Sequence, residues 1–299
     1  MAGGPLNGMS PMTLKKRRLY FLLFFVVFLL AIPVLLLYTS GYRIGNDLTL
    51  VKTGGVFVSA PISGAEIYIN NKLEKTTNII QKNFFAQNLK PGTYFIFIYK
   101  DGYWPWSKEL KVHEQLVSEA HSFLVPREPK LEEVTKMIVK EDGSLSKDKN
   151  PVYPDVLAIF SAKLSTTTID NITTESGAAT STVTRNKVTL IRDGDTISAK
   201  WLGNLDEAPS AFCDEYKRQC AEKITVFSSP TKIKTFDFYP GRNDVIVIAR
   251  KNGIYAVETD TRKIQNFALV YAGGDPDFRI GNDGNFYVKD GPTIYKVTL

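Results

Sequence analysis

The side chains in this chain that could do chemistry are few and scattered. Its only histidines are His113 and His121, which on one unbroken strand would stand about 26 Å apart at ~3.3 Å per residue, too far to share a metal ion. Asp275, Asp277 and Asp283 lie close in sequence but lack the calcium-loop pattern, and Asn282-Asp283-Gly284 has the composition of a hairpin tip. No G-x-S-x-G elbow, P-loop or dinucleotide fingerprint is spelled anywhere. Cys213 and Cys220 have the wrong spacing for a zinc knuckle. On an unbroken helix they would be separated by about 10 Å along the axis, beyond the ~7 Å reach of a disulfide between alpha carbons. The polar stretch Asp214 to Gln219 supplies the turn that a bridge needs, so the pair is a candidate disulfide. Tyr103, Trp104 and Trp106 form the candidate binding surface, since aromatic rings stack on sugars and other flat groups; the other reading is strand packing. No residue is assigned a catalytic, metal or cofactor role, no cofactor is expected, and the chain reads as a non-enzyme. A carboxylate pair for glycoside cleavage comes from distant strands and leaves no local pattern, so an envelope glycan hydrolase stands as the alternative.

What positions these residues begins with Leu19 to Leu37, a run of nineteen residues without a charge. As a helix rising ~1.5 Å per residue it covers about 28 Å, close to the ~30 Å hydrocarbon thickness of a bilayer. The run exceeds the h-region of a secretory signal and is followed by Tyr38-Thr39-Ser40-Gly41, which is no A-x-A cleavage pattern. An uncleaved transmembrane helix over 19–38 is therefore expected. Lys15, Lys16, Arg17 and Arg18 precede it and act as topology determinants, placing the tail 1–18 in the cytoplasm by the positive-inside rule. The rest of the chain is then extracytoplasmic, on a single-pass cell-membrane protein, where a disulfide persists.

The formal charge is +6, but the first 18 residues carry four of those charges with no acid, leaving the remainder nearly balanced. That is not the footprint of a nucleic-acid binder. The expected partners are the membrane and a cell-wall polymer or surface protein.

From Val56 onward the pattern is that of strands. Val56 to Ala60, Ala65 to Asn70, Ile79 to Gln87, Thr93 to Tyr99, Trp106 to Val112 and Leu116 to Val125 are separated by turn residues. Thr93 to Tyr99 is apolar on both faces and is expected in the middle of a sheet. Residues 54–125 resemble the PEGA domain, a small β-sandwich of bacterial envelope proteins. The resemblance rests on Ser59-Ala60-Pro61 with Gly64-Ala65-Glu66-Ile67-Tyr68-Ile69-Asn70, then Leu89-Lys90-Pro91-Gly92-Thr93-Tyr94, then Lys100-Asp101-Gly102-Tyr103 with Trp106 and Lys108. The chain reads Pro61-Ile62-Ser63-Gly64-Ala65 where the name-giving motif is Pro-Glu-Gly-Ala, and Thr76-Thr77-Asn78 where a Thr-Pro turn is common. The resemblance implies a binding or display role and carries no catalytic residues.

Residues 126–154 read as a linker around an amphipathic piece, Leu131 to Lys140. Val156 to Phe160 resumes strand composition, and Ser161 to Thr184 is Ser/Thr-rich and reads as a surface loop. Residues 155–299 then repeat a phrase of strand, Gly-containing turn and strand, with Ile254-Tyr255-Ala256-Val257 and Ile294-Tyr295-Lys296-Val297 about 40 residues apart. This length gives fewer blades than most propellers close with, so an incomplete propeller-like domain or a two-sheet sandwich is expected. The sum is an all-β ectodomain on one N-terminal transmembrane helix, a small β-sandwich followed by that second β domain, with tethering as its function.

Overall fold

The structure, a computed structural model, describes residues 13–44, 49–134, 137–139, 142, 145–147, 153–161, 181–214 and 219–299. The first twelve residues of the expected tail, most of the Ser/Thr-rich stretch and the middle of the cysteine loop lie outside the described residues. Helix α1 spans Leu14–Thr39, with the four basic residues at its start, Pro33 inside it and no residue buried against the rest of the protein. It is long and apolar enough to cross a membrane. Strands β1 (Tyr42–Ile44) and β2 (Leu50–Lys52) follow as a short hairpin. The helix end is tied down. Arg43 donates to the Tyr38 carbonyl at 2.8 Å and to Asn88 Oδ1 at 2.7 Å, and Gln115 Nε2 donates to the Ser40 carbonyl at 2.8 Å.

Seven strands then make a two-sheet sandwich: β3 (Gly54–Ser59), β4 (Glu66–Ile69), β5 (Lys72–Thr76), β6 (Asn83–Leu89), β7 (Gly92–Tyr99), β8 (Trp106–Val112) and β9 (Val117–His121). One sheet has the order β6-β3-β9, with β3 and β9 parallel; the other is β5-β4-β7-β8, placing β7 in the interior as its two apolar faces demand. Alternation aims Val56, Val58, Ile67, Ile96, Ile98 and Leu110 inward, and all are buried. Gly54 has no alternative, because a Cβ there would collide with the His113 carbonyl oxygen.

The expected linker contributes structure. Strand β10 (Lys130–Glu133) is followed by the small hairpin β11 (Met137–Val139) and β12 (Leu145–Lys147), then by helix α2 (Tyr153–Ser161). The strand expected at Val156 to Phe160 is thus a helix. A short apolar run fits either form, and here the helix lets Val156, Ile159 and Phe160 pack together on Tyr287 and Ile294.

The remaining strands are β13 (Ser181–Arg185), β14 (Val188–Asp193), β15 (Thr196–Trp201), β16 (Lys223–Ser228), β17 (Thr235–Phe238), β18 (Val245–Arg250), β19 (Gly253–Glu258), β20 (Phe267–Ala272), β21 (Asp277–Ile280), β22 (Phe286–Asp290) and β23 (Thr293–Thr298). Strand β13 begins inside the stretch read as loop. These form three four-stranded antiparallel sheets, β13 to β16, β17 to β20, and β21 to β23 completed by β10, which pairs with β23. Each sheet is blade-like, and none closes on itself. Strand β18 joins two layers: Ile246 and Ile248 face the first sheet with Leu190 and Phe236, while Val245, Val247 and Ala249 face the third with Phe278 and Phe286. That second layer is continuous with the sandwich core. On the other face of the third sheet, α2 and Val134 cover Tyr287 and Ile294.

Phe278 is fully buried, with its ring 5.1 Å from that of Phe286. Phe278→Ala in the micelle-solubilised full chain is expected to cost about 3–5 kcal/mol in urea unfolding. Because the core is shared, sandwich and blade fluorescence should still lose their native signals at one midpoint; two separated midpoints would show the units to be independent.

Candidate functional site

A small cleft of about 70 Å³ opens where the sandwich meets the first and second blade-like sheets. Strand β9 brings Glu119 and His121 to it, the turn before β18 brings Asp244, and the end of β19 brings Glu258, Thr259 and Asp260. Val188, Asn243, Arg262 and the turn Pro209 to Phe212 complete the lining. Behind this wall stands Lys108. Strand β8 buries Trp106, Lys108, Leu110 and Val112 in alternation, so the lysine occupies an inward register position. Its side chain is fully buried.

Lys108 Nζ lies 2.8 Å from Glu258 Oε2 and 3.4 Å from Asp260 Oδ2, and donates to the Asp260 carbonyl at 3.0 Å. Glu258 Oε2 also accepts from Asn266 Nδ2 at 2.8 Å. The Asn266 amide meanwhile pairs with the backbone of Ser107, accepting its N–H at 2.9 Å and donating to its carbonyl at 2.8 Å. Beside it, the Glu109 N–H reaches the Lys263 carbonyl at 2.7 Å. The open edge of β8 is therefore covered by the segment after β19. Two arginines extend the seam. Arg262 grips Asp260 and donates to the Glu119 carbonyl at 3.0 Å; Arg242 grips Asp244 and donates to the Ser122 carbonyl at 2.6 Å.

The two central carboxylates titrate apart. Burial raises Glu258 to about 7, with the charge of Asp260 adding to the effect and Lys108 opposing it. Asp260 is also penalised by burial, but hydrogen bonds and charge from Arg262, with help from Lys108, leave it below the usual carboxylate range. Glu258 can thus hold a proton near neutrality while Asp260 stays ionised. Both are nevertheless engaged by one ammonium, and the arrangement is that of an interlock between the two units.

The residues singled out from sequence are dispersed. Trp106 is 1% exposed and belongs to the core, because its register position faces inward with Lys108; it does not present a binding surface. Tyr103 and Trp104 are half-buried against that core, with Lys100 4.9 Å from the Tyr103 ring and Arg127 5.2 Å from the Trp104 ring. Cys213 and Cys220 are joined in a disulfide. Asp275 pairs with Lys234, Asp277 accepts from Thr235 and Arg279, and Asp283 accepts from Tyr287 at 2.6 Å. His121 ends β9, whereas His113 follows the end of β8 outside any strand. Among the described residues, no group of three or more His, Cys, Asp or Glu side chains is placed to hold a metal ion. Sequence reading missed Lys108 as a site residue; its signal was a lysine at an apolar position between Trp106 and Leu110. The partners are about 150 residues away, and no local pattern announces them. No protein-family model matches this chain, and no curated protein matches it.

The folded state keeps a proton on Glu258 up to about pH 7, whereas the unfolded chain releases it near 4.5. The stability from this group is complete below pH 4.5 and is lost as pH rises through about 7, a decline on the order of 1–3 kcal/mol. Asp260 contributes in the opposite sense, its share being present above 3.8 and lost only in more acid solution. Urea midpoints of the full chain between pH 4.5 and 8 should show the decline, and Glu258→Gln should flatten it. Lys108→Met should cost about 3–5 kcal/mol at pH 8, most of it recovered in the double variant with Glu258→Gln. Equal loss in the single and double variants would contradict the coupling.

Proposed function

We propose that this protein is a membrane-anchored, extracytoplasmic binding or scaffold protein of the cell envelope. The sandwich is a PEGA-like module that tethers a surface polymer or a surface protein, with the basic start of α1 on the cytoplasmic side. The observation that carries this reading is the union of the two β units through one core and one buried charge cluster, at the end of a helix long enough to span a bilayer. A rigid body held at a surface raises the effective concentration of whatever it binds there, without any catalytic step. The second reading, an envelope glycan hydrolase, is favoured by Glu258 and Asp260, which share a cleft and titrate apart. Their common bond to Lys108 weighs against it.

The test incubates the micelle-solubilised full chain with isolated cell-wall polymer and with solubilised surface proteins, beside a Tyr103→Ala/Trp104→Ala variant. Retention on one of the two without new glycan ends is the expected result. Release of new reducing ends that stops in Glu258→Gln would move the assignment to the hydrolase.

A further inference from the structure

The β5–β6 connection carries the two most exposed large apolar side chains among the described residues: Ile79 is 83% and Ile80 91% exposed. Turns are ordinarily polar, and folding gains nothing from two isoleucines left in water. The loop is not loose. Asn78 Oδ1 accepts the N–H of Ile80 at 3.0 Å and of Gln81 at 2.6 Å, while Lys75 Nζ donates to Gln81 Oε1 at 2.7 Å. Just before it, Thr77 is buried; its hydroxyl donates to the Ile62 carbonyl at 2.7 Å and accepts the Ala65 N–H at 2.8 Å. The two side chains are thus presented on a fixed mount, which lowers the ordering cost of any contact they make.

Their position narrows what that contact is. Helix α1 joins the end of the sandwich that holds Gly54, Asn88 and Gln115. Strand β3 runs from there to Ser59, which pairs with Asn83 just beyond the loop, so the loop lies about 17 Å or more further on at ~3.3 Å per residue. It points away from the bilayer that holds α1. Strands β5 and β6 are also the outer strands of their sheets, on the side opposite the blades.

Charge narrows it again. Lys75 and Lys82 flank the loop on either side, and the segment between them contains no Asp or Glu. A polyanionic polymer could pair with the lysines but offers nothing to the isoleucines, and a second copy would bring the same lysines into repulsion. Resting on the binding or scaffold reading above, we infer that the Asn78–Gln81 loop is a docking tip for a partner protein that offers an apolar pocket rimmed by carboxylates. The isoleucines fill the pocket and the lysines steer the approach.

The experiment places a photo-crosslinking residue at Asn83 in the full chain, in the cells that make it, and identifies the adduct by mass spectrometry. Binding of the purified adduct partner to the full chain is then measured in micelles. The expected result is one protein whose affinity falls on the order of 100-fold or more with Ile79→Ser/Ile80→Ser, at an unchanged unfolding midpoint. Lys82→Ser should slow association at low salt and have little effect at high salt. Adducts only with a second copy, with polymer or with lipid would overturn the inference, as would no adduct. Isoleucine-dependent flotation with vesicles containing phosphatidylglycerol would do the same in favour of a membrane. A partner that binds the serine variant as tightly, but is lost with Tyr103→Ala/Trp104→Ala, would refute the tip and leave the binding reading standing. Retention of neither polymer nor surface protein by the wild-type chain would refute both.

Discussion

The arrangement of the β-sheet units depends on one buried lysine. An ammonium taken out of water costs several kcal/mol unless it is paired and fully hydrogen-bonded. Lys108 meets that condition only when β8 and the segment around Glu258 and Asp260 are brought together. A hydrophobic seam alone would tolerate sliding, since apolar contact has little direction. The ion pair, the Asn266 amide and the bond from Glu109 to Lys263 fix one register, and Arg242 and Arg262 repeat the logic along β9. Their bonds end on backbone carbonyls of the sandwich, so this part of the attachment reads main-chain geometry.

The same economy explains how three sheets stand without further blades. The third sheet borrows its outer strand, β10, from the segment before the blades, and its far face is covered by α2. An edge and an apolar face, both liabilities in an open array, are met by one stretch of chain that separates the two units in sequence.

Local pattern made much of this legible. The charge-free run became α1, the alternating segments became the sandwich, and the Gly-containing phrases became the second and third sheets, because each depends on side chains a few residues apart. Legibility stopped where a decision is made at long range. Val156 to Phe160 is a helix because Tyr287 and Ile294 offer it a face, which no window around it contains. Ile79 and Ile80 read as the start of a strand that begins at Asn83, since apolar residues look alike whether they face a core or water. Trp106 and Lys108 lie two residues apart on one strand face, yet the ring packs in the core while the ammonium waits for partners far along the chain. The candidate disulfide was readable because its closure needs only the few residues between its ends.

The pairing of β10 with β23 also sets an order in time. About 160 residues separate the two strands, and Lys108 precedes Glu258 by about 150. At synthesis rates of about 5–20 residues per second, the sandwich emerges roughly 8 to 30 s before the groups that neutralise its lysine and cover the edge of β8. For that interval the nascent chain carries an uncompensated cation and an open strand. The interval is when a chaperone at the exit site has something to hold, and the arrival of the segment from Glu258 to Asn266 is the event that ends it.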